Sequence, residues 1–315
     1  MPSIVTNHGI TLNYQDEGSK DAPVIILIMG LGAQMTVWPQ SFFYGLVNKG
    51  FRVIRFDNRD AGLSTQLDQF GCPSLVKTWF KRRFTATVDI PYTLENMCQD
   101  TLALMDALQI KKAHLVGASM GGMIAQSLAA KHKKKVLSLT LLMSSSSMPT
   151  LSPSNFMFFM RLLRLQAVRK NKVSTINYLV KLNQLIGSPG YPQDERTLRQ
   201  QARLSVARAH TPNGFKRQLV ALTYSGSREH LLAKIKASTL VIHGLDDPIF
   251  PLSAGQKTAQ SIRKAKLKVV PGMGHDFPPE LMKKLTKWVA KHAAKSERKR
   301  QEKKVRKWEL RAAQD

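Results

Sequence analysis

The sequence predicts an α/β fold, a doubly wound and mostly parallel sheet carrying a helical insertion, and three observations point to it. Short continuous apolar runs alternate with segments of helical period along most of the chain. The alternation stops between about residues 144 and 238, where helical patterns follow one another without a convincing strand. Three of the apolar runs end in loops that supply a serine, an aspartate and a histidine, in that order.

Residues 10–14, 24–29, 51–56, 113–116 and 136–143 read as strands. Most are unbroken apolar runs, the pattern expected when helices cover both faces of a sheet. Two later runs, 238–242 and 267–270, read the same way. Residues 93–108 give the clearest helix, with Thr93 placed as the N-cap and Leu94, Met97, Thr101, Met105 and Leu108 recurring along one face. A second helical stretch covers 120–131. Strand and helix alternating in this way imply parallel strands joined by crossovers.

Within the interruption, residues 174–186 end at Gly187-Ser188-Pro189-Gly190 and residues 195–210 at Thr211-Pro212-Asn213-Gly214, both helix stops of the Gly/Pro kind. The expected organisation is a core formed by 1–145 and 236–290, a helical insertion over 146–235, and a basic tail, helical or mobile, over 291–315. An insertion lying over a site excludes water and shapes a pocket, so substrate preference is expected there. Its run Phe156-Met157-Phe158-Phe159-Met160, with Leu162, Leu163 and Leu165, is expected either to line an apolar pocket or to pack the insertion onto the core.

A chain of 315 residues, 43% hydrophobic, can bury a sizeable core. No repeat at solenoid periods is apparent. The first residues have neither a basic region nor a long apolar one, so no signal peptide is expected. The longest apolar run, 24–33, is too short for a membrane span of about 20 residues. Cys72 and Cys98 make at most one pair and no disulfide framework. These features lead to the expectation of a soluble, cytoplasmic protein.

Gly117-Ala118-Ser119-Met120-Gly121 lies where an apolar run gives way to a helical stretch. At such a junction the pattern is a nucleophile elbow: the serine is forced into a strained shape, and Gly117 and Gly121 let strand and helix close together. A serine hydroxyl needs a base within reach, and the base needs a third group to fix its tautomer. His275 follows the run 267–270 in a Gly-rich turn, and Asp246 and Asp247 follow 238–242. Spacing alone does not separate the two aspartates. His243, at the same strand end, is expected to be a packed, hydrogen-bonded residue. Asp57, Arg59 and Asp60 are expected to form a structural ion-pair and turn network.

With these residues on the page, the chain resembles the α/β-hydrolase family from about Gly9 to Ala290. The segments Arg55-Phe56-Asp57-Asn58-Arg59-Asp60-Ala61-Gly62-Leu63-Ser64 and Gly117-Ala118-Ser119-Met120-Gly121-Gly122-Met123-Ile124-Ala125-Gln126 look like the bacterial esterase branch that includes aclacinomycin methylesterase-like proteins. The resemblance favours Asp247, the carboxylate immediately before Pro248, over Asp246. It implies an α/β-hydrolase fold whose insertion, 146–235, is a helical cap over the site with an apolar acyl pocket, and a serine carboxylic-ester hydrolase in which Ser119, His275 and Asp247 form a triad and the N–H groups of Met120 and Leu31 form an oxyanion hole. The His-Gly pair that often opens the family's oxyanion loop is Met29-Gly30 here, and a backbone donor does not need the lost side chain. No metal and no cofactor are expected, and the expected partner is a small-molecule ester.

The fold also hosts cofactor-free perhydrolase-like haloperoxidases, C–C bond hydrolases and acyltransferases with similar triads. A protein that binds an anionic surface or partner with an idle site is the non-enzymatic alternative.

Charge is the remaining feature: 48 Lys and Arg against 21 Asp and Glu, net +27. Residues 146–235 carry +11 and residues 291–315 carry +6, so the sequence reads as a generally cationic surface. The tail, with Glu302 and Arg306 as an i,i+4 pair, is expected to extend the last helix into solvent. Its sharper reading is weak electrostatic association with anionic membrane or RNA, Trp308 serving as an anchor.

Overall fold

The computed structural model describes residues 2–71, 90–148, 160, 161, 164 and 171–312, without the side chains of 303, 304, 307, 308 and 310–312. Eight strands form one sheet: β1 (Ser3–Val5), β2 (Thr11–Glu17), β3 (Val24–Ile28), β4 (Arg52–Phe56), β5 (Ala113–Ala118), β6 (Val136–Leu142), β7 (Ser238–Gly244) and β8 (Lys266–Val270). Their order is β1-β2-β4-β3-β5-β6-β7-β8. The pairs β1/β2 and β2/β4 are antiparallel, and every pair from β4 to β8 is parallel.

The helices are α1 (Gln40–Val47), α2 (Leu94–Ala107), α3 (Met120–Lys131), α4 (Lys172–Ile186), α5 (Glu195–Arg208), α6 (Gly214–Ser225), α7 (Glu229–Leu232), α8 (Leu252–Ser261) and α9 (Pro279–Ala312). Successive side chains of a strand point to opposite faces, and the core divides accordingly. Ile26 and Ile28 of β3 pack with Met97 of α2 and Met123 of α3. Ile25 and Leu27 pack on the other face with Phe42 of α1 and Leu285 of α9. An unbroken apolar strand therefore serves two cores, which is why these runs show no alternation in the sequence.

The predicted helix over 93–108 is α2. Thr93 accepts a hydrogen bond from the Asn96 N–H and Asn96 bonds back to the Thr93 N–H, a reciprocal cap. Replacing such a cap costs roughly 1 kcal/mol. Two differences from the sequence reading have physical causes. β2 runs three residues beyond Tyr14 through Gln15, Asp16 and Glu17, because Asp16 is paired bidentately with Arg52 of β4, at 2.9 and 2.8 Å. β1 is a short edge strand whose residues are too few to give a pattern.

Helix α9 packs against the sheet, and its partly buried Glu297 meets a buried histidine of β5. His114 of β5 bonds the Ser138 hydroxyl through Nδ1, at 2.8 Å, and its Nε2 lies 3.3 Å from Glu297. Burial lowers the His114 pKa from its ordinary 6.5 to about 3. The folded ring therefore stays neutral while the unfolded ring takes a proton below about pH 6.5. The unfolded state then binds more protons, so stability is fully present above pH 6.5 and falls as the pH drops toward 3. Urea unfolding at pH 6.5 and 4.5 is expected to show the wild type losing on the order of 1 kcal/mol per pH unit more than His114→Asn, the slope of one extra proton. Parallel pH slopes for the two proteins would contradict this.

Candidate active site

The carboxyl ends of β5, β7 and β8 carry the candidate residues, the edge where open α/β sheets place their sites. Ser119 sits between β5 and α3 with φ 52° and ψ −122°, a region that costs a non-glycine residue about 1 to 3 kcal/mol. Close packing holds it there. A Cβ on Gly121 would collide with the carbonyl of Ile28 in β3, and one on Gly117 with the carbonyl of Gly121. The Ser119 N–H donates to Leu142 O at 3.0 Å, and the Ser144 hydroxyl donates to Ser119 O at 2.7 Å.

The structure brings Ser119, His275 and Asp247 together in one chain of hydrogen bonds. His275 Nε2 lies 3.0 Å from Ser119 Oγ, and Nδ1 lies 2.8 Å from Asp247 Oδ2. With its proton on Nδ1, facing the carboxylate, the ring offers the Nε2 lone pair to the hydroxyl. Asp247 Oδ1 accepts the N–H groups of Ile249 and Phe250, at 2.8 and 2.9 Å. Burial would raise the Asp247 pKa; the His275 ring and the Phe250 amide overcome it and hold the carboxyl below its ordinary value. The buried group is thus an anion with every oxygen engaged.

The two aspartates separate clearly in space. Asp246 is exposed, accepts the Gly272 N–H at 2.8 Å and donates its own N–H to Met273 O. It staples the β7 exit to the β8 exit and does not reach the imidazole. His243 is buried, donates from Nε2 to Phe250 O at 2.8 Å, and lies 3.9 Å from Asp247 Oδ2. Burial lowers its pKa, so it pins the turn of Asp247 as a neutral ring.

The turn Gly30-Leu31-Gly32 follows β3 and abuts the elbow: a Cβ on Gly30 would stand 3.1 Å from Ser119 Cβ. Met120 is the first residue of α3, so its N–H has no acceptor within the helix. The turn that carries Leu31 thus lies against the serine that precedes this amide.

Two side chains that sequence reading missed hold these loops in place from the 146–235 segment. Gln218 of α6 is fully buried; its Oε1 accepts the Gly32 N–H at 2.7 Å and its Nε2 donates to Arg59 O at 2.7 Å. Ser188, after α4, accepts the Gly274 N–H at 2.9 Å and donates to the neighbouring Asp276. The His275 N–H donates to Ile186 O at 2.7 Å. Nothing in the sequence marks Gln218 or Ser188, because each is defined only by a contact across dozens of residues.

The charged loop after β4 forms the expected network and extends it. Arg59 pairs with Asp100 of α2; Asp60 is clasped by Arg217 of α6 and accepts the Tyr92 hydroxyl. Asp57 accepts the Met35 N–H at 2.7 Å and the Arg208 guanidinium of α5 at 2.7 Å. The run Phe156-Met157-Phe158-Phe159, with Leu162, Leu163 and Leu165, lies outside the described residues, while Met160 is exposed.

Among the described residues Glu95, Cys98 and His132 bring one ligand atom each within 4.8 Å of one another. They lie at the start of α2 and the end of α3, about 18 Å along α3 from Ser119. Lys131 neutralises Glu95, and burial pushes the Cys98 thiol pKa up, both adverse to metal binding. No described helix is long and apolar enough to cross a membrane.

A mostly parallel sheet with a serine, a histidine and an aspartate hydrogen-bonded beyond its carboxyl edge is the architecture of an α/β hydrolase. The chain belongs to that family: residues 23–280 match the alpha/beta hydrolase fold. It is 26% identical to rhodomycin D methylesterase of Streptomyces peucetius, over 93% of this chain and 98% of the relative. It is 28% identical to 3-oxoadipate enol-lactonase 1 of Acinetobacter baylyi, over 85% of this chain and 87% of the relative. Among solved structures, the enol-lactonase from Burkholderia xenovorans superposes with a TM-score of 0.72 at 24% identity, covering 93% of this chain and all (100%) of that one. The esterase from Exiguobacterium antarcticum gives 0.73 at 19% identity, covering 93% and 98%; at these identities the two structures speak for the fold.

Removing the Gln218 brace tests the link between α6 and the turn beside Ser119. Gln218→Leu is expected to lower kcat about ten- to a hundred-fold, less than the roughly 2.7 to 4 kcal/mol that loss of a complete oxyanion donor costs, and to leave KM within about two-fold. Steady-state kinetics on the folded variant showing an unchanged kcat would contradict the link.

Proposed function

We propose that this chain hydrolyses carboxylic esters by nucleophilic catalysis at Ser119. The observation that carries the reading is the continuous relay from Ser119 Oγ through the His275 ring to Asp247, at 3.0 and 2.8 Å. In it, Ser119 Oγ attacks the ester carbonyl and His275 Nε2 takes the hydroxyl proton. Asp247 steadies the imidazolium without being protonated. The N–H groups of Met120 and Leu31 receive the oxyanion. His275 then protonates the leaving alcohol, and a water molecule activated by the same ring hydrolyses the acyl-enzyme.

Support comes from several directions. The strained elbow at Ser119 and the anionic, amide-bound Asp247 are the features this chemistry requires. The relatives include a methylesterase and an enol-lactonase, which makes small carboxylic esters, methyl esters and lactones the substrates to try. In the same reading, 1–145 with 236–290 forms the catalytic core, 146–235 is the cap over it, and 291–315 is a basic extension.

The test uses p-nitrophenyl esters of rising chain length together with a methyl ester and a lactone. Ser119→Ala is expected to lower kcat by roughly a thousand-fold or more in folded protein. Asp247→Asn should cost about 10⁴ in kcat, while Asp246→Asn stays within a few-fold, since only the former faces the imidazole. Undiminished turnover in Ser119→Ala would falsify the mechanism, and equal losses at the two aspartates would overturn the assignment of Asp247.

A further inference from the structure

The positive charge is organised by the fold in a way that the sequence conceals. Lys111 and Lys112 lead into β5, Lys133 and Lys134 into β6, Lys234 and Lys236 into β7. Arg263 and Lys264 precede β8. All eight are exposed, and none takes part in an ion pair among the described residues. Lys131 and Lys135 nearby are by contrast held by Glu95 and Asp106. Because β5, β6, β7 and β8 are adjacent and parallel, these four turns lie side by side along the amino edge of the sheet. Neighbouring strands are about 4.8 Å apart, so the row spans roughly 14 Å.

Helix α9 carries the same charge to the same edge. Its Glu297 reaches His114 near the start of β5, and residues 298–312 continue the helix about 22 Å farther. That extension holds eight Arg and Lys against two Glu. The exposed carboxylates at this edge are few: Asp21 lies in the turn into β3, and Asp106 is neutralised by Lys135.

We infer that the amino edge of the sheet, together with the projecting end of α9, is a docking surface for an anionic lipid bilayer. Three observations favour a bilayer over a nucleic acid. Seven of the eight turn cations are lysines, point charges suited to diffuse attraction, where recognition of single phosphates in a groove favours the arginine fork. The four turns contain no Phe, Tyr or Trp on which bases could stack. The cations also sit on the ends of aligned strands, which form a front and not a groove. Each Lys or Arg near an anionic surface contributes about 1 kcal/mol, so several acting together hold a protein there at physiological salt.

The geometry fixes the orientation of the docked protein. The six residues of β5 separate Lys112 from Ser119, about 20 Å along the strand. The nucleophile therefore faces away from the bilayer, toward water, and draws its substrate from solution.

Full-length protein is sedimented with vesicles of phosphatidylcholine alone or with about 30 mol % phosphatidylglycerol, at roughly 0.05 and 0.5 M salt. Binding is expected only to the anionic vesicles and to fall at the higher salt. The variant K111E/K112E/K133E/K134E should partition at least about ten-fold less, with K234E/K236E as an independent pair should the first fail to fold. Turnover of a soluble ester should be unchanged on the vesicles. The surface is overturned by absent vesicle binding, by binding that ignores salt or both turn variants, or by single-stranded RNA binding more tightly than the vesicles. Turnover that changes on the vesicles would overturn the orientation.

Discussion

The backbone of Ser119 is locked in a conformation it would not choose, and the lock is the close packing of β5, α3 and β3 around two glycines. Its φ of 52° survives because Gly117 and Gly121 let neighbouring carbonyls approach where any side chain would collide. The same packing presses the turn after β3 against the serine and leaves the first amide of α3 without a helical acceptor. Strain of about 1 to 3 kcal/mol at one residue is thereby coupled to the position of a hydroxyl and of the donors beside it. His275 and Asp247 arrive from two later strand ends, and their geometry has meaning only relative to that fixed point.

The helices between β6 and β7 hold the loops beside the nucleophile. Gln218 ties α6 to the turn after β3, and Ser188 with Ile186 O ties the end of α4 to the histidine loop. Arg217 and Asp60 form an ion pair with both side chains fully buried, a pair whose disruption from one side costs about 3 to 5 kcal/mol. Arg208 of α5 reaches Asp57, which also holds the Met35 amide. The loops beside Ser119 are therefore braced from this one segment between β6 and β7. Wholesale opening of α4, α5 and α6 would break the geometry needed for turnover, so access to Ser119 has to leave these contacts in place.

Much of this was legible in the sequence, because the elements and the chemistry are encoded locally. Mainly apolar runs marked the parallel strands, Thr93 marked the start of α2, and a Gly-x-Ser-x-Gly at a strand-to-helix junction marked the elbow. The choice between Asp246 and Asp247 was open on spacing alone, since both leave the same strand end; only burial and the direction of the imidazole separate them. Gln218 and Ser188 were invisible because their partners lie far away in sequence. Charge is a related case. Summed by segment, the +27 reads as a generally cationic surface; parallel topology additionally sets lysines from four distant turns side by side on one edge.

The proposed mechanism requires Ser119, His275 and Asp247 to act as one unit, and covalent labelling addresses that most directly. A fluorophosphonate is incubated with folded wild type, with His275→Ala and with urea-unfolded protein, and the rate and position of the adduct are read by peptide mass spectrometry. One adduct on Ser119 is expected, forming at least about a thousand-fold more slowly in His275→Ala and not at all in the unfolded chain. An adduct on a different serine, or labelling of Ser119 at the same rate without His275, would contradict it.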